Sequence, residues 1–79
     1  MDLIGQMTTS IETALPGAKV TVSGGGGHFE IHVISELFKG KRLVQKQRMV
    51  YKAISPLMAG TNAPVHAIDR MVCEIPEDT

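Results

Sequence analysis

Tryptophan is absent, and one tyrosine and two phenylalanines are the only aromatic residues. A platform that stacks unpaired RNA bases needs several exposed rings, so that class is not supported. Cysteine occurs once, as Cys73. A single thiol excludes an internal disulfide and a four-cysteine metal site built by one chain. The missing disulfide framework favours a reducing compartment, expected to be the cytoplasm, or an organelle matrix if a targeting segment has been removed. No apolar run approaches the ~18–20 residues needed to cross a bilayer. Met1 to Leu15 lacks the basic start and continuous apolar stretch of a signal peptide. No nucleophile elbow is present. The glycine run from Gly24 to Gly27 is not a phosphate loop, because no Lys-Ser/Thr pair follows it. Net charge is also absent: eight cations balance eight acids. That balance is uneven along the chain. Lys39, Lys41, Arg42, Lys46, Arg48 and Lys52 share one acid-free stretch, while most acids lie toward the ends.

What remains is enough for one domain. A chain of 79 residues buries roughly 60% of its unfolded surface, a marginal but sufficient core. Residues 1–79 are read as a single unit, with 74–79 a loose acidic tail. Leu3, Ile4, Met7, Ile11 and Leu15 recur at helical spacing from Asp2 to Leu15, and Pro16-Gly17 stops that helix. Lys19 to Ser23 alternates through Val20 and Val22. After the glycines, Phe29, Ile31 and Val33 alternate against Glu30 and His32, which predicts an antiparallel hairpin with a pliable loop. Ser35 to Phe38 reads as one helical turn ended by Gly40. A longer helix is expected from about Lys41 to Ser55, with Leu43, Val50, Ile54 and Leu57 on one face and Val44, Tyr51 and Met58 beside it. Pro56 should kink or end it. Pro64 to Cys73 reads as the last strand, with untidy alternation. The long helical crossover predicts that the second and third strands run parallel, with the helices on one face of a three-stranded mixed sheet.

Parallel strands start at one end of a sheet. His28 opens the second strand and His66 lies near the start of the third, so the topology brings both imidazoles to one edge, close enough to share a ligand. Imidazole is a common iron and zinc ligand, although a lone histidine in a small domain is more often a satisfied surface group. His32 lies four residues beyond His28, ~13 Å at strand rise, too far to join them. Lys41, Arg42, Lys46, Arg48 and Lys52 form a candidate surface for nucleic-acid phosphates. The plainer alternative is a solvated helix face. Phe29, Phe38 and Tyr51 all fit core or near-core positions. For Cys73, a packed or edge thiol is favoured over a nucleophile, and no nucleophile–base pair can be named, so no enzyme is expected.

The run Val22-Ser23-Gly24-Gly25-Gly26-Gly27-His28-Phe29 resembles the strand–loop–strand of BolA-like proteins. Ser35-Glu36-Leu37-Phe38-Lys39-Gly40-Lys41, followed by Arg42 to Tyr51, is similar to that family's central signature. Val65-His66-Ala67-Ile68 looks like its histidine strand. The similarity spans about residues 3–73 and is nearest the IbaG-like branch. Two departures stand out. Lys46-Gln47-Arg48 replaces the usual Arg-His-Arg, and the Thr-Pro-x-x-Trp ending is missing. The resemblance implies an α+β fold of order αββααβ, like class II KH domains. The RNA-binding loop of KH domains needs glycines at both ends of a short turn, and Gly40-Lys41-Arg42-Leu43 supplies only the first. The resemblance further implies a monothiol glutaredoxin partner, a shared [2Fe–2S] cluster, and a role in iron homeostasis or stress response. His66 would be one ligand and His28 a second or weaker one, with the partner's cysteine and glutathione supplying thiolates. No cofactor is expected in the isolated chain, which should be a monomer, with weak homodimerisation the alternative state. The basic segment could meet an acidic partner surface or the glutathione carboxylates, and DNA-binding transcription regulation is the other role the resemblance allows.

Overall fold

The computed structural model describes residues 2–60 and 62–76. Helix α1 spans Leu3–Ala14, strand β1 Lys19–Gly25, strand β2 His28–Ile34, a 3₁₀ turn Glu36–Phe38, helix α2 Leu43–Met58 and strand β3 Ala67–Glu74. The expected α+β order is therefore present, with the middle helical element reduced to the 3₁₀ turn.

The sheet order is β1-β2-β3. β1 and β2 are antiparallel, and β2 and β3 are parallel, as the crossover requires. α1 packs on β1, α2 packs on β3, and the two helices pack on each other. They cover one face of the sheet. The core joins Met7, Ile11 and Leu15 from α1 and its cap to Phe29, Ile31 and Val33 of β2, Phe38 of the 3₁₀ turn, Val50 and Ile54 of α2, and Val65. Each such side chain contributes about 1.5–3 kcal/mol by leaving water. Lys19, Thr21, Ser23, His28, Glu30, His32, Arg70 and Glu74 are exposed, leaving the opposite face polar and open.

Several boundaries differ from the sequence reading. The glycine segment is not a pliable loop. Gly24 and Gly25 belong to β1, and only Gly26 and Gly27 turn the chain, with φ of 63° and 83°. Positive φ at both central residues is what a tight type I′ hairpin turn requires. α2 starts two residues late and runs through Pro56. A proline at position 56 cannot donate to the Lys52 carbonyl, but the Ser55 hydroxyl donates to that same oxygen at 3.1 Å, so the last turn persists. Leu43, Val44 and Tyr51 are exposed rather than packed. Leu43 and Val44 open the helix, and Val44 and Tyr51, seven residues apart, share its outward side. β3 begins at Ala67 rather than Pro64. Glu74 ends that strand instead of opening a tail, and residues 77–79 of the expected tail lie outside the described residues.

Candidate functional site

Because β2 and β3 are parallel and β1 returns antiparallel, one end of the sheet gathers the β1–β2 turn, the first residue of β2 and the entry to β3. Val65 fixes that entry: it is buried, and its N–H donates to the Leu57 carbonyl at the end of α2. The next residue, His66, is exposed. The N–H groups of His66 and Ala67 both donate to the Gly27 carbonyl, at 2.8 and 3.0 Å. The His66 ring lies over the Gly27 Cα so closely that any side chain at position 27 would overlap its Cδ2. Gly27 therefore serves as turn residue and as seat for an imidazole.

His28 follows directly and pairs with Ala67, the neighbour of His66. The two histidines are thus brought to one edge, as the topology predicted. The His28 side chain is more than half exposed, and its Nδ1 lies 3.1 Å from Asp69 Oδ1. That leaves Nε2 as the ring atom turned to other use. Asp69 escaped the sequence reading, although its signal was there. The inward residues Ile68 and Met71 of the core are three apart, not two, which marks an extra residue between them.

His32 stands elsewhere, as expected. Its Nε2 is hydrogen-bonded to Glu74 Oε1 across the parallel pair. That pair borders a shallow depression of about 330 Å³ on the open face, together with Thr21, Ser23, Glu30 and Arg70.

Among the described residues no group of three or more His, Cys, Asp or Glu side chains is placed to hold an ion. Cys73 sits at the other end of β3, half-buried against the core. Burial pushes its thiol up from the usual value, and the nearby Lys46 charge acts in the opposite sense. What the edge offers is two exposed imidazoles and no thiolate. Such a set fits a centre completed by ligands from another molecule.

Lys41 and Arg42 do not join this edge. β2 takes six steps from His28 to Ile34, about 20 Å at strand rise, and α2 begins at that far end. Lys41 and Arg42 precede α2 and are exposed, Arg48 and Lys52 are exposed along it, and Lys46 is only half-exposed beside Cys73. Among the described residues none of these cations is in an ion pair. Leu43, Val44 and Tyr51 stand exposed among them, alongside Leu37 of the 3₁₀ turn.

Comparison with known proteins agrees with this fold. The family model for BolA-like protein matches residues 7–76. The protein of the rpoN–murA intergenic region of Acinetobacter guillouiae is 36% identical over 63 residues, 80% of this chain and 74% of its own length. The acid stress protein IbaG of Escherichia coli K12 is 33% identical over 63 residues, 80% of this chain and 73% of its own. Among solved structures, a Bol-like protein from Babesia bovis superposes with a TM-score of 0.73 at 30% identity, covering 96% of this chain and 87% of that one.

Proposed function

The chain belongs to the BolA-like protein family, and from that premise we propose that it is a non-enzymatic partner of a monothiol glutaredoxin. In this reading it lends imidazole ligands to a [2Fe–2S] cluster whose thiolates come from the partner and from glutathione. The observation that carries the reading is the meeting of His28 and His66, both exposed, at one end of the sheet with no thiolate beside them. A chain that holds half a ligand set at its surface is suited to sharing a centre and unsuited to keeping one.

The residues divide the work. Val65, anchored to α2, directs His66 outward, and Gly27 seats its ring. His28 offers Nε2 while Asp69 engages Nδ1. The cluster, when bound, supplies redox-active and transferable iron, and histidine in place of thiolate raises its potential. Iron or redox regulation, or delivery of the cluster, would follow from that chemistry.

The test is co-purification with a monothiol glutaredoxin and glutathione, followed by visible absorption and circular dichroism. His66→Ala should abolish the spectrum of the mixed complex, and His32→Ala, with its imidazole tied to Glu74, should leave it intact. Equal behaviour of the two variants would refute the ligand assignment. A second reading is DNA binding through Lys41, Arg42, Arg48 and Lys52, favoured by their exposure and, among the described residues, by the absence of any acid paired with them.

A further inference from the structure

The ladder between β2 and β3 has one irregularity, and it falls beside His28. Phe29 pairs with Ile68, but Glu30 pairs with Arg70, so Asp69 is an extra residue in β3. Bulges are uncommon between parallel strands, and where they occur they re-aim a side chain. In an unbroken register Asp69 would stand opposite Glu30, two like charges side by side on neighbouring strands, which is unfavourable. The bulge puts Arg70 opposite Glu30 instead. It frees Asp69 to turn toward His28, where Oδ1 lies 3.1 Å from Nδ1.

A neutral imidazole carries one N–H and one lone pair, and a carboxylate can only accept. Contact with Asp69 therefore puts the proton of His28 on Nδ1 and the lone pair on Nε2. We propose that Asp69 is the positioning residue of this edge: the bulge aims it at His28, and it holds that ring as the Nδ1–H tautomer with Nε2 facing outward as a donor to metal. This rests on the cluster-sharing reading. Metal-binding histidines commonly give their second N–H to a carboxylate, which fixes ring orientation and raises basicity. The two imidazoles are then held by different devices, His66 by the backbone of Gly27 and His28 by a side chain.

The experiment has two arms. In the first, ¹⁵N-resolved NMR of the histidine rings is recorded on the metal-free chain across a pH series, and the tautomer is read from the neutral form. His28 should be Nδ1–H in the wild type and lose that preference in Asp69→Ala. Asp69→Asn should lose it as well, because the amide can turn its NH2 toward Nδ1 and accommodate the Nε2–H tautomer. An Asp69→Ala or Asp69→Asn spectrum with the Nδ1–H tautomer unchanged overturns the proposal. In the second arm, the rate of cluster loss from the mixed complex is followed by absorption. Asp69→Ala should speed it about 10-fold, the lower end for loss of such a partner, and should add nothing in a His28→Ala background. An Asp69→Ala effect that persists without His28 also overturns it. A wild-type mixture that carries no cluster removes the cluster-sharing reading, while the tautomer arm stands or falls by itself.

Discussion

Gly27 has two reasons to be glycine, and they can be separated. Its φ of 83° lies in the left-handed region, and a Cβ there would overlap the His66 ring. Gly26, with φ of 63°, has the first problem but not the second, since no heavy atom lies within 4 Å of where its Cβ would stand. Left-handed backbone costs a non-glycine residue about 1–2 kcal/mol. Gly26→Ala should lose about that much in urea unfolding, and Gly27→Ala more. In a His66→Ala background the excess should disappear, because the ring that collides is gone. Cys73 gives a second residue-scale expectation. Burial disfavours its thiolate more than Lys46 favours it. Alkylation by iodoacetamide should therefore show a pH midpoint above that of a free thiol, and Lys46→Ala should move it higher still. The sign for stability follows: a raised folded pKa means a contribution that is present below the ordinary thiol pKa and lost as pH climbs through the folded value.

At the scale of elements, legibility in the sequence tracked regularity of period. α1 was readable because Met7, Ile11 and Leu15 repeat at one spacing and all three are buried. Asp2 accepts a hydrogen bond from the Gly5 N–H at 3.0 Å and caps the helix. Asp2→Ala should cost about 1 kcal/mol, read as a fall in midpoint temperature of roughly 4–8 °C for a domain of this size. β2 was equally plain, with Phe29, Ile31 and Val33 inward and His28, Glu30 and His32 outward. The failures sit where one residue breaks a period. Pro56 should kink or end α2, and the helix continues two residues past it, because the proline falls in the last turn and the Ser55 hydroxyl uses the carbonyl left vacant. The bulge at Asp69 made β3 look untidy, and the aspartate that meets His28 was hidden in that irregularity. His28 and His66 were visible as a pair because parallel pairing depends only on the crossover. Exposure of Leu43, Val44 and Tyr51 was not, since a helical wheel shows sides and not where the sheet beneath them stops.

The whole molecule keeps two kinds of surface apart. Imidazoles stand at the end where β2 and β3 begin. Lys41 and Arg42 stand just before α2, at the end where those strands finish, about 20 Å away at strand rise, while α2 carries Arg48 and Lys52 back toward the histidine end. Surface charges that far apart exceed the ~8 Å screening length at physiological salt and scarcely feel each other. The two surfaces should therefore fail independently. Lys41→Glu combined with Arg42→Glu should leave the absorption of a glutaredoxin-shared cluster unchanged. If DNA is bound at all, the same double variant should weaken that binding and flatten its dependence on salt, because each phosphate no longer neutralised takes about one unit off the slope of log affinity against log salt. His66→Ala should do the reverse, removing the cluster spectrum and leaving any DNA affinity and its salt slope as they were. A double charge reversal that bleaches the cluster while the fold stays intact by far-ultraviolet circular dichroism would mean that the partner spans both ends. The histidine edge would then be one part of a larger interface rather than a site complete in itself.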